Sequence, residues 1–339
     1  MRKFFLFGLF IVFSRTITLG QPLFETDDIL HIKIKLNVKE TITDREVRDE
    51  HEAVLYYNEN DSLDIKLSVR GNTRANPSLC KFPPLKVNFK KKQVKGTLFE
   101  GQNKMKLVTH CNDRSINEEY ILREYYVYKL HQIISPYSFQ VRLCRISYID
   151  TEGKMDPDEH YGFLIEDIDD LAARFEMKQY DGNLLNQDAF FRPELDKLVF
   201  FQYMIGNLDW SVPKQHNFKL IFGNEIKAPI AIPYDFDFSG MVNTTYAEPP
   251  PGINVPSVRT RDFRGFCRTP GTYEAVAREY IEMKPQIYEL YTSSEVLSEK
   301  SIDQAVKYLD SFYEIIEDEK KFNKEIITAC RFNHTHLFE

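Results

Sequence analysis

Leu30-His31-Ile32-Lys33-Ile34-Lys35-Leu36-Asn37-Val38 places an apolar residue at every second position and a polar or charged one between. Side chains of an extended chain point alternately to opposite faces, so the stretch reads as a strand with one face on a core and the other in water. The period returns at 63–69, where Leu63, Ile65, Leu67 and Val69 alternate with Asp64, Lys66 and Ser68. It returns again at 85–89, where Leu85, Val87 and Phe89 alternate with Lys86 and Asn88. Strands of this kind suit an antiparallel sheet covered on one side. The polar stretches 39–61 and 71–84 carry turn residues and read as linkers.

Farther along the period changes. Ser115 and Glu118 have the spacing of a capping box, and no Gly or Pro interrupts the run to Leu130, which predicts a helix. Strands are expected near 139–149 and 162–166. Helical patterns then cover 168–175, 194–204, 273–290 and 302–327, interrupted over 206–240 by loops and short strands. This order predicts an α+β fold, with a sheet-rich part over 21–165 and a helical part over 166–339.

Residues 1–20 read as a secretory signal. Arg2 and Lys3 precede an apolar run over 4–13 that is too short to span a bilayer, and Thr18-Leu19-Gly20 offers small residues before a cut at Gln21. The expected product is exported: periplasmic, extracellular or on the cell surface, with no membrane span in its mature form. The chain carries a net charge of −7, and the first twenty residues contribute basic side chains but no acid. A negative mean field disfavours non-specific binding to nucleic acid or an anionic membrane. With 26 Phe and 19 Tyr, the composition is that of a packed protein rather than a disordered one. Cys80, Cys111, Cys144, Cys267 and Cys330 fit no zinc or redox spacing, and an odd count leaves at least one outside any intramolecular pairing. A disulfide among Cys80, Cys111, Cys144 and Cys267 is expected.

Two phrases carry the densest chemistry. Asn207-Leu208-Asp209 is followed by His216-Asn217, and Pro233-Tyr234-Asp235-Phe236-Asp237 comes next. An Asp, an Asn and an acidic pair in that order are what phosphoryl transfer requires: one acid orients the acceptor hydroxyl, and the others hold Mg²⁺ on the phosphates. Singly, each has a structural reading. Asp209 could cap a helix, Asp235 and Asp237 could cap a turn or hold Ca²⁺, Lys86 could be a solvated strand residue, and His216 a structural hydrogen-bonder. An Asp-x-Asp also serves glycosyltransferases.

As an ordered set these phrases resemble the catalytic and metal-binding segments of the CotH-type atypical kinases. Arg70-Gly71-Asn72, the 82–89 segment, Asn112-Asp113-Arg114-Ser115, Leu122-Arg123-Glu124 and the 161–168 segment also resemble that family in order and rough spacing. Together with Arg264-Gly265-Phe266-Cys267 they are similar, more closely still, to a group of exported bacterial proteins of unassigned function. The first resemblance implies a two-lobed kinase-like fold that transfers phosphoryl from ATP to protein Ser/Thr with Mg²⁺ or Mn²⁺. It implies Asp209 as the acceptor-orienting acid and Asn217, Asp235 and Asp237 as metal ligands. It further implies Lys86 and Arg70 at the phosphates, Glu124 as partner of the lysine, and Glu166 on the strand that borders adenine. The alternative is a non-catalytic binding module on the same scaffold.

Overall fold

The computed structural model describes residues 22–59, 61–182, 187–211 and 215–332. The signal-peptide reading falls outside them. Among them no helix is long and apolar enough to cross a membrane.

The first part comprises β1 (Leu30–Leu36), α1 (Val38–Thr43), β2 (His51–Tyr56), β3 (Ser62–Val69), β4 (Leu85–Phe89) and β5 (Lys104–Val108). The helix α2 (Ser115–Ile134) follows, then β6 (Val141–Asp150) and β7 (Asp158–Ile165). The alternation of β1 holds at every position, apolar side chains buried and polar ones exposed. The sheet is not half-covered, however: seven strands close into a barrel in the order β1-β2-β3-β4-β5-β7-β6. Closure comes from parallel pairing of β1 with β6, from Leu30 beside Cys144 to Leu36 beside Asp150, while every other pairing is antiparallel. The inward residues, among them Ile34, Leu55, Ile65, Leu85, Val87 and Leu107, fill a core of their own. Closing the sheet removes the exposed edges that an open sheet would present. The stretch read as the linker 39–61 contains α1 and β2, and β5 was not foreseen. Both strands are short and carry charged residues on their outer faces.

One wall of the barrel is buried on both sides. Leu107, Cys144, Ile146 and Leu164 face the barrel interior. Val108, Val141, Leu143, Phe163 and Ile165 face a second core shared with the helices. That second part holds α3 (Ile168–Arg174), β8 (Lys178–Gln179), α4 (Arg192–Ile205), β9 (Phe218–Phe222) and β10 (Ile230–Pro233), followed by α5 (Thr272–Thr292), α6 (Glu299–Ile316) and α7 (Glu319–Phe322). α2 packs against β7, α4 and α5, so it couples the barrel to the helices. Strands β9 and β10 of the 206–240 region form a small antiparallel sheet with β8, which lies ahead of α4 in the chain. The helix expected over 302–327 stops at Ile316, because the Asp318 carboxylate accepts from the Lys321 amide at 2.8 Å and starts α7 anew. The capping box at α2 is also not formed. Arg114 occupies the cap without a side-chain hydrogen bond, and Glu118 is turned to other partners.

Disulfides join Cys80 to Cys111 and Cys267 to Cys330. Cys267 therefore pairs outside the group expected for it. Cys144 stays free because its side chain points into the barrel core, fully buried.

Candidate functional site

The site begins where α4 ends. Gly206 takes the left-handed conformation (φ +61°), and a Cβ there would lie 1.9 Å from the Tyr308 hydroxyl oxygen, so only glycine lets the chain turn at this point. The turn delivers Asn207, whose Oδ1 accepts from the Asp209 amide at 3.0 Å. Reciprocal backbone bonds between Ser211 and His216 bring the chain back. His216 Nε2 then lies 2.9 Å from Asp209 Oδ1, and Asn217 Nδ2 donates to Asp209 Oδ2 at 3.0 Å and to the Asp209 carbonyl at 2.7 Å. Asp209 is held on both oxygens, with its position set by two neighbours.

Asn217 opens β9, and Asp235 follows β10 on the adjacent strand. Both have positive φ, +59° and +67°. This region is costly for most residues and is tolerated best by Asn, Asp and Gly. The Tyr234 amide donates to the Asn217 carbonyl at 3.1 Å, and the Asp235 amide donates to the Tyr128 hydroxyl of α2 at 3.0 Å. Asp237 accepts from the Tyr246 hydroxyl at 2.9 Å.

These contacts gather Glu124 of α2 with Asp235 and Asp237, one ligand oxygen from each lying within 4.8 Å of the others. Arg74 reaches two of them, at 3.5 Å from Glu124 and 3.4 Å from Asp237. Glu124 is only 1% exposed. Burial raises its pKa to about 8 against the pull of Arg74, with Asp237 and Asp235 adding to the rise. Burial likewise pushes Asp237 up to about 6, although Arg74 opposes it. Arg74 pays its own desolvation cost, but the carboxylates of Glu124 and Asp237 outweigh it and hold the guanidinium firmly charged. At neutral pH Glu124 therefore keeps its proton, and a cation that displaced it would meet three carboxylates beside one bonded guanidinium. Glu124 Oε1 has no hydrogen-bond partner. Hard oxygen donors so arranged suit Mg²⁺ or Mn²⁺.

Asp235 and Asp237 form one side of a cavity of about 540 Å³ between the barrel and the helical part. Arg70, Lys86, Lys104, Lys106 and Lys219 also line it. Lys86 of β4 and Lys106 of β5 stand opposite each other in register. Burial pushes the Lys106 ammonium down to about 7, the Arg70 charge adding to the effect and Asp235 opposing it. Its Nζ sits 4.0 Å from the centre of the Tyr234 ring. Arg70 Nε is buried without a hydrogen-bond partner.

Asp209, Lys86, Arg70, Glu166, Asn217, Asp235 and Asp237 thus all line one cavity. Glu124 does not line it. Glu124 sits behind Arg74, its partner in place of Lys86, and clusters with Asp235 and Asp237. Glu166 reaches the cavity wall, but its oxygens accept from Arg174 at 2.8 and 2.9 Å and from the Gln140 amide at 3.0 Å. Burial raises its pKa despite Arg174. Arg74, Lys106 and Lys219 went unread in the sequence. Only the alternation in Lys104-Met105-Lys106-Leu107 could have flagged Lys106, and it does not say which face is enclosed.

No protein-family model matches the chain, and no curated protein matches it. Among solved structures, the crystal structure of a Helicobacter pylori proinflammatory kinase CtkA aligns with 83% of this chain and 93% of its own. The identity is 11% and the TM-score 0.37, a likeness too loose to carry an argument about function.

Proposed function

We propose that the cavity binds a nucleoside triphosphate with Mg²⁺ or Mn²⁺, and that the chain is an exported, two-lobed, CotH-like phosphotransferase acting on a protein hydroxyl. The observation that carries this reading is the pairing of an acid cluster, of which Asp235 and Asp237 line the cavity with Glu124 behind them, with a cationic wall across that cavity. A polyphosphate needs both, because its charge exceeds what either a metal or a few side chains offset alone.

In this reading Asp235, Asp237 and Glu124 hold the cation, with Asn217 at its edge. When bound, the cation neutralises phosphate oxygens. Lys106, Lys86 and Arg70 meet the phosphates from the barrel side. Asp209, fixed by His216 and Asn217, orients the acceptor hydroxyl and takes its proton. Two disulfides support an oxidising compartment and therefore export.

The test is a thermal melt with and without metal–ATP, followed by transfer of label from γ-labelled and α-labelled ATP. At one hundred times its dissociation constant, metal–ATP should add about 2.7 kcal/mol to the native state, and Asp235→Ala should abolish the effect. Label from γ alone means phosphoryl transfer, and label from α alone means nucleotidyl transfer, the γ label then leaving in pyrophosphate. Metal-dependent binding without transfer leaves the binding module. Melts that metal–ATP does not move would overturn the reading.

A further inference from the structure

The phrase Arg264-Gly265-Phe266-Cys267 stands apart from the residues that line the cavity, yet it holds the loop that carries Asp209. Arg264 Nη1 donates to the Leu208 carbonyl at 2.9 Å and to the Trp210 carbonyl at 2.7 Å, on either side of Asp209. Its guanidinium also stands 4.9 Å from the centre of the Trp210 ring. The carbonyls between are taken up in the same way. Trp210 Nε1 donates to the Asn207 carbonyl at 3.0 Å, and Asn217 Nδ2 donates to that of Asp209 at 2.7 Å. Successive carbonyls from 207 to 210 therefore bond to side chains, and the loop takes its shape from the side chains that reach it. Arg264 supplies the bonds at both Leu208 and Trp210, and each is charge-assisted.

The segment around Arg264 is fastened on both sides. Arg261 donates to the Met204 carbonyl in the last turn of α4, at 3.1 and 3.2 Å, and to the Tyr308 carbonyl of α6 at 2.6 Å. Arg268 Nε donates to Asp196 Oδ1 at 2.8 Å. Between them Cys267 is bonded to Cys330. The Cys267 amide donates to the Arg331 carbonyl, and the Arg331 amide to the Gly265 carbonyl, each at 2.9 Å. A Cβ at Gly265 would lie 2.6 Å from the Tyr273 hydroxyl oxygen and 2.8 Å from side-chain carbons of Phe263 and Val199, so the backbone here runs directly against the core.

We propose that Arg264 is a positioning residue for Asp209, and that the Cys267–Cys330 disulfide is the fastener that keeps Arg264 in place. The task of Asp209 rests on the phosphotransferase reading, whereas the tie between Arg264 and the loop is independent of what the cavity binds. Leu208 and Trp210 are buried, so removing Arg264 leaves two carbonyls without their donor where water does not replace it. The loop then relaxes, and Asp209 shifts away from the acceptor hydroxyl. A shift of about 1 Å at such a group costs on the order of 100-fold in rate. Asp235, Asp237 and the cationic wall lie on other segments and keep their places.

The chain has one tryptophan, and it is Trp210, so tryptophan emission reads this loop directly. Emission is measured in the full chain, in Arg264→Met, in Arg264→Lys, and in the pair Cys267→Ser with Cys330→Ser, with the fold of each checked by circular dichroism. The pair Cys80→Ser with Cys111→Ser serves as control. In Arg264→Met and the Cys267–Cys330 pair, emission should move to longer wavelength and become open to quenching by acrylamide while circular dichroism stays unchanged. Arg264→Lys, which keeps a charged donor, should lie between, and the control should match the parent. Transfer from γ-labelled ATP should fall about 100-fold in the same two variants while metal–ATP affinity stays within a few-fold. Emission equal to the parent's in both folded variants overturns the tie, and altered emission with undiminished transfer overturns the positioning of Asp209. A parent that binds metal–ATP but transfers no label sinks the phosphotransferase reading alone, and the tie then stands or falls on Trp210.

Discussion

Replacing Lys106 with methionine should make the unliganded protein more stable and its ligand weaker. The ammonium is held at about 7 rather than the ordinary 10.5. That difference corresponds to about 5 kcal/mol of preference against the charged form. Part of it is returned by the Tyr234 ring 4.0 Å away, an interaction worth about 0.5–2 kcal/mol. Lysine and methionine have similar length, so packing along the stem is kept. The net gain expected for Lys106→Met at pH 6.5 is about 2–4 kcal/mol. The sign follows from linkage: the folded state binds this proton more weakly than the unfolded chain, so the wild type carries the full cost below about 7 and sheds it as pH rises toward 10.5. Urea unfolding of both proteins at pH 6.5 and 9.5 should therefore show an advantage of the variant that shrinks with pH. Metal–ATP affinity should fall about 10- to 100-fold, the loss of one charge-assisted contact. A variant less stable than wild type at pH 6.5, with metal–ATP affinity intact, would refute both the burial cost and the phosphate-facing role.

Asp209→Ala should lower phosphoryl transfer by about 10²–10⁴ while nucleotide affinity stays within a few-fold, since the residue faces the acceptor; paired turnover and binding measurements separate the two. Breaking Cys80–Cys111 or Cys267–Cys330, which close loops of 31 and 63 residues, should each cost about 4 kcal/mol, read as a lower denaturant midpoint in the paired serine variants. His131 is held at about 3 by burial, so the stability of its neutral ring is present above the ordinary 6.5 and lost as pH falls toward 3. His131→Leu should flatten the acid limb of the stability profile between those values, and an unchanged limb would count against it.

The strands β1, β3 and β4 were legible because each keeps one face in water, so the period of two is written in adjacent residues. β2 and β5 were missed because their polar faces dominate short stretches. α2 was found from an uninterrupted helical run, but its capping box was not formed, since Glu118 spends its carboxylate on His160 and Tyr161 across the fold. Seven of the eight candidate site residues reached one cavity: Asp209, Asn217, Asp235 and Asp237 because short local loops order their phrases, and Arg70, Lys86 and Glu166 because barrel strands carry them to the same cleft. The eighth, Glu124, found Arg74, fifty positions upstream, and no pattern in either segment announces that pairing. The sequence by itself determined the periods, the breaks, the acids and their order, all set by near neighbours. Barrel closure through β1 and β6, the enclosure of Lys106 and the partner of each buried charge were decided only by the tertiary structure. Desolvation and pairing depend on segments that meet in space from distant parts of the chain.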